Sequence, residues 1–164
     1  HWQSRGLGDV YKRQEFGTAL NKAYAAAGVE INNKEKGIFV TLSDDEKPNF
    51  IKTINKYLEL GFTLYTTRGT GEFLKAKGID SVIVGKADDI GKTSLTIIED
   101  KLVSLVINTP TYANELSDGW KIRRLSHETG VAVVSSVREA DAFIEAFLNQ
   151  NLVLDDLEVI QDVS

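Results

Sequence analysis

Five short apolar runs, "GIFVTL", "FTLYT", "DSVIVG", "LVSLVIN" and "VAVVS", recur from Gly37 onward, separated by stretches with helical spacing or glycine stops. They have strand length and read chiefly as strands buried on both faces of a sheet. Parallel strands of this kind need crossover connections, and the segments between them supply candidates. The pattern predicts an α/β fold: a doubly wound, three-layer α/β/α domain with a five-stranded parallel sheet, from about Gly37 to Gln150.

The crossovers carry their own signals. Ser43 or Asp44 can cap a helix starting near Pro48, with Asp44, Asp45 and Glu46 favourable at its positive end. Phe50, Ile51, Ile54 and Leu58 form its apolar stripe, and Gly61 stops it. After the second strand come a Thr/Gly loop and a short helix, "EFLKAK", stopped by Gly78. "TSLTIIEDK" fits helix or strand, and period alone does not decide between them. "WKIRRLSHET" reads as a helix ended by Gly130. Ser136 can cap "VREADAFIEAFLNQ", with Val137, Ala140, Phe143, Ile144 and Phe147 inward. Residues 151–164 read as a C-terminal tail.

Upstream, "EFGTALNKAYAAA" has the stripe of a helix, and residues 15–36 read as that helix plus a polar linker. Residues 1–14, "HWQSRGLGDVYKRQ", lack apolar periodicity. They resemble translated adapter read-through and are set apart as a suspected non-native or disordered segment, the alternative being a polar linker. The chain reads as a fragment of something longer.

A length of 164 residues suits one domain, and an apolar fraction of 42% suits a globular one. Lys plus Arg number 19 against 24 Asp plus Glu, a net charge of −5, which argues against a nucleic-acid-binding face. The absence of cysteine excludes disulfides, thiolate nucleophiles and Cys-based metal sites. Apolar runs are far shorter than a membrane span. The expectation is a cytoplasmic domain that binds neither nucleic acid nor membrane.

Open parallel sheets bind ligands beyond the carboxyl ends of their strands. Those ends lead into Thr41, Ser43 and Lys47; Thr66, Thr67, Arg68 and Thr70; Lys86; and Asn108 and Thr109. Hydroxyls, an amide and cations converge there, and backbone N–H groups around Gly69 and Gly71 would complete an anion site at a helix start. This set fits a phosphate, although a Gly/Thr loop is also what an ordinary solvated turn looks like.

Catalytic sets are sparse. His127, near a helix end, is placed as a solvated residue favoured by the helix dipole. No His/carboxylate metal spacing occurs. Asp44, Asp45 and Glu46, and Asp88 with Asp89, read as caps or solvated edges. Arg123 and Arg124 could reach a ligand or form a salt-bridged face, and Tyr112 and Trp120 could cover a base or simply pack.

The motifs "EFGTALNKAYAAAG", "GFTLYTTRGTGEFLKAKGI", "VINTP" and "DGWKIRRLSHETGV", in this order, resemble the methylglyoxal-synthase-like domain at the C-terminal end of carbamoyl-phosphate synthase large subunits. The leading helix resembles the end of the preceding ATP-binding half. The resemblance implies a regulatory domain that binds a phosphorylated effector, typically a uridine nucleotide, with IMP-class nucleotides or N-acetylglutamate in some members. It implies effector contacts from Lys47, Thr67, Thr70 and Lys86, with Thr41 nearby and Asn108 and Thr109 on the sugar side. It implies no catalytic residues, metal or cofactor in this domain; ATP and magnesium belong to the parent ligase, with potassium left open. The implied partners are the rest of the large subunit and the glutaminase small subunit, with oligomerisation through the parent synthase in pyrimidine or arginine biosynthesis.

Two positions depart from the family pattern. Pro110 stands where members often carry a second Thr, removing a hydroxyl and an N–H. Val133 aligns near a Tyr of ornithine-sensing members and cannot make its polar contact. Two other readings stay open: a methylglyoxal synthase-type lyase with Asp89 as its only loosely placed acid, and a structural or oligomerisation domain without an effector.

Overall fold

The computed structural model describes residues 36–109 and 117–162, with side chains as far as 149, together with Ala19 and Lys22, both helical and exposed. Apart from those two positions, the expected segments 1–14 and 15–36 lie outside the described residues up to Glu35, as do Pro110 and Tyr112.

Five strands form one parallel sheet in the order β3-β2-β1-β4-β5. They are β1 (Gly37–Thr41), β2 (Thr63–Thr66), β3 (Val82–Ile83), β4 (Val103–Asn108) and β5 (Ala132–Val134). The helices are α1 (Lys47–Glu59), α2 (Arg68–Ala76), α3 (Ser94–Glu99), α4 (Asp118–Thr129) and α5 (Val137–Asp162). Alternate strand residues feed two apolar layers. Ile38, Val40, Leu64 and Ile107 pack with Phe50 and Ile54 of α1, Leu74 of α2 and Phe143 and Phe147 of α5. Phe39, Val103 and Val106 pack on the other face with Ile97 and Ile98 of α3 and Ile122 of α4. This is the three-layer, doubly wound arrangement that the strand–helix alternation predicts.

Four local expectations are revised. Neither Ser43 nor Asp44 caps α1 through its side chain; Glu46 holds the cap position without a side-chain bond. The Ser43 carbonyl instead accepts the Glu46 and Lys47 N–H groups, while its hydroxyl meets Thr109 and Asp44 pairs with Lys47. The Thr/Gly loop is largely the first turn of α2, which starts at Arg68. The third strand shrinks to Val82–Ile83, because it is an edge with one neighbour and both side chains are exposed. Finally, α5 runs on to Asp162, past Gln150. The ambiguous segment is helix α3, fixed by a capping box in which Thr93 accepts from Thr96 N and Thr96 from Thr93 N.

Gly71 is needed for contact rather than for backbone freedom. A Cβ there would stand 2.6 Å from Thr66 Oγ1 and 2.7 Å from Ile83 Cγ1, so α2 meets the sheet edge only without a side chain. Gly71→Ala is expected to destabilise by about 1–3 kcal/mol in urea unfolding.

Helices α1 and α5 are joined by polar contacts as well. Tyr57 OH donates to Ala140 O at 2.7 Å, and Lys56 Nζ reaches Asp141 at 2.7 Å and Glu145 at 2.5 Å. Burial, aided by the charge of Asp141, pushes the Tyr57 phenol well above its ordinary value of 10.0. Burial pulls Lys56 down, but the hydrogen bonds and charges of Asp141 and Glu145 outweigh it and raise the group above 10.5. Both groups hold their proton more tightly when folded, so their contribution is complete below their unfolded values and lost as pH rises through the folded ones. Unfolding free energy is expected to fall as pH rises above about 10, with a smaller fall in Tyr57→Phe; equal stability at pH 9 and pH 11 would contradict this.

Candidate functional site

Because the five strands are parallel, their carboxyl ends share one edge of the sheet. β1 is paired with β2 on one side and β4 on the other, so the connections leaving them diverge and open a crevice. The crevice is a cleft of about 500 Å³.

Its floor is a latch between β1 and β4. Thr41 pairs in register with Asn108, and Thr41 O accepts Thr109 N at 3.1 Å. Just beyond, Ser43 N donates to Thr109 Oγ1 at 2.7 Å, and the Thr109 hydroxyl donates to Ser43 Oγ at 3.2 Å. Asn108 Nδ2 donates to Gly119 O at 3.1 Å, tying the start of α4 to the same floor.

One wall is the N-terminus of α2. Thr67 is its extended cap residue, with no side-chain cap bond, and its hydroxyl makes long contacts to Thr41 Oγ1 (3.4 Å) and Thr70 Oγ1 (3.3 Å). Thr67, Arg68 and Gly69 line the cleft. The first N–H groups of a helix have no partner within it and stand at the positive end of its dipole. Lys47 lies beside them: a Cβ on Gly69 would be 3.7 Å from Lys47 Nζ. Lys47 also pairs with Asp44, whose carboxyl is held below its ordinary value by the Lys47 hydrogen bond and then by its charge.

The opposite wall comes from β3, α3 and α4. Lys86 lines it, its backbone N donating to Asp89 Oδ2 at 2.8 Å, and no ion pair engages its ammonium among the described residues. Ile83, Val84, Ser94, Asp118, Ile122 and Arg123 complete that side.

Of the seven residues expected at the site, Thr41, Thr67, Lys86, Asn108 and Thr109 line one cleft. Lys47 and Thr70 are not among its lining residues: Lys47 lies beside the start of α2, and Thr70 is buried, its oxygen accepting Leu42 N at 3.1 Å. Asp118, Gly119 and Ser94 were not legible as lining residues, because their approach depends on how α3 and α4 pack on the sheet. The Arg pair divides: Arg123 lines the cleft, while Arg124 pairs with Glu128 and lies 5.3 Å over the Trp120 ring. His127 is exposed in the last turn of α4, away from the cleft lining. Asp88 pairs with Lys121, and Val133 packs into the layer beneath α3 and α4. Among the described residues no cluster of His, Cys, Asp and Glu could hold a metal ion, and no helix is long and apolar enough to cross a membrane.

Residues 49–135 match the family described as MGS-like domain. The chain belongs to this family. It is also similar to proteins named carbamoyl phosphate synthase large chain: 35% identical over 82% of the chain to that of Lachnoclostridium phytofermentans, covering 13% of that protein. The similarity to the large chain of Kocuria rhizophila is 32% over 98% of the chain and 15% of that protein. The "C-terminal section" of the Aquifex aeolicus large chain is 34% identical over 81% of the chain and 25% of that protein. The chain thus spans a quarter or less of these relatives. An MGS-like domain with relatives of that name is what the motif order in the sequence resembles.

The latch yields a stability test. Thr109→Val removes the acceptor of the buried Ser43 N–H, and a loss of about 1–3 kcal/mol is expected in urea unfolding.

Proposed function

We propose that this chain is the regulatory domain of a carbamoyl phosphate synthase large chain, and that its cleft binds a phosphorylated effector of the nucleoside monophosphate class, such as a uridine nucleotide or IMP. The observation that carries the reading is the meeting of the α2 N-terminus with Lys86 across one cleft. Helix-start N–H groups at Arg68 and Gly69, the Thr67 hydroxyl and the Lys47 and Lys86 ammonium groups together suit a dianion. The sugar then lies toward Asn108, whose side chain is held by Gly119. Thr70 acts through Thr67, and Thr109 through the latch.

In this reading the domain works by differential affinity. An effector that prefers one state of the parent enzyme shifts the population toward it, and reciprocally the state sets effector affinity. The rest of the large chain and a glutaminase subunit are the partners, in the cytoplasm. ATP and its metal ions act in the other domains.

Thermal unfolding of the chain with inorganic phosphate, UMP and IMP tests this. A ligand at about 100 times its dissociation constant stabilises by roughly 2.7 kcal/mol, a clear shift. Lys86→Ala is expected to weaken nucleotide and phosphate binding about 10-fold or more, since hydrogen bonds to charged groups contribute about 1.5–3 kcal/mol. The stability of the free protein should change little, because Lys86 is exposed. Absence of any shift, or equal affinity in Lys86→Ala, would sink the proposal.

A further inference from the structure

Two buried side-chain oxygens, Ser94 Oγ and Ser104 Oγ, have no hydrogen-bond partner among the described residues. Buried polar atoms are nearly always paired, so each calls for an explanation. Ser104 sits within β4 and does not line the cleft; Ser94, only 1% exposed, does.

Ser94 has no evident structural duty. The start of α3 is already capped on both sides by the reciprocal Thr93–Thr96 pair, at 3.2 and 2.8 Å. The Ser94 backbone N–H is also taken, donating to Gly85 O at 3.1 Å. Its hydroxyl alone is left over. It belongs to the wall opposite α2, where Ile83, Val84 and Ile122 supply apolar surface and Asp89 and Asp118 supply carboxylates. The same wall carries Lys86 and Arg123, but its apolar stretch disfavours a phosphate and suits a flat, weakly hydrated ring with a polar edge.

We propose that Ser94 is a specificity-determining residue of the cleft, its hydroxyl bonding a ring nitrogen or exocyclic oxygen of a nucleoside monophosphate base between Ile83, Val84 and Ile122. The proposal rests on the phosphate-cleft reading above and adds which wall reads the base. A phosphate held between α2 and Lys86 leaves the remainder of the ligand to lie along the apolar stretch of the Lys86 wall. There a heteroatom of the base pairs an otherwise unpaired hydroxyl, whereas a purely apolar ring would leave it unpaired.

The test is isothermal titration of the 164-residue chain and its Ser94→Ala variant with ribose 5-phosphate, UMP and IMP, alongside their thermal midpoints without ligand. Ser94→Ala should bind ribose 5-phosphate as the unaltered chain does, yet bind at least one nucleotide about 3- to 10-fold more weakly, the loss of one neutral hydrogen bond. Its midpoint without ligand should be unchanged or higher, since an unpaired buried hydroxyl is removed. Unchanged nucleotide affinity, an equal loss for all three compounds, or nucleotides bound no tighter than ribose 5-phosphate would each overturn the role of Ser94 while leaving the phosphate site standing. If the unaltered chain binds none of the three, both readings fall.

Discussion

Everything at the cleft depends on β1 being hydrogen-bonded along both edges. Gly37 to Val40 pair with β2, and the same strand pairs with β4 as far as Thr41 and Asn108. With no edge left, the strand can be reached only from its ends or faces, and both faces are covered by apolar layers. Its carboxyl end is therefore the one central place where backbone polarity, helix starts and solvent meet. The order β3-β2-β1-β4-β5 puts the change of winding direction beside it, and the cleft follows from topology before any side chain is considered.

The two walls differ in chemistry because they come from opposite layers. The α2 side presents a helix start, a hydroxyl and cations. The α3–α4 side presents branched apolar side chains, the Ser94 and Ser117 hydroxyls and carboxylates, with Lys86 and Arg123 as its cations. A ligand that satisfies both must carry charge at one end and a compact, less hydrated group at the other. Arg123 moderates the acidic side, its guanidinium lying close to Gly119, where a Cβ would be 3.7 Å from one of its nitrogens.

The sheet was legible in the sequence because burial on both faces leaves an apolar signature, plainest in Val103–Asn108, where all six residues are buried. The stops at Gly61 and Gly130 were legible for a local reason: both adopt positive φ, which few other residues tolerate. The capping of α1 was not, since Ser43 is diverted by Thr109, 66 residues away. Nor was the true start of α2, because two glycines are poor helix formers; the close approach of Thr66 and Ile83 to Gly71 explains one of them. At the site, strand-end residues could be read from position alone. Ser94, Asp118 and Gly119 could not, because they arrive from helices whose rotation is fixed by packing on the second layer.

Helix α1 has a mechanical consequence. Lys47 at its first position lies beside the start of α2, and Lys56, nine residues on, grips Asp141 and Glu145 of α5. That distance is roughly 14 Å of unbroken helix, since each residue adds 1.5 Å. Its one proline, Pro48, sits in the first turn, where it takes no hydrogen bond from the helix, and no proline or glycine follows before Lys56, so a rod of this length does not flex appreciably. It therefore acts as a strut between the rim of the cleft and the chain's last helix, and a displacement at one end is delivered to the other.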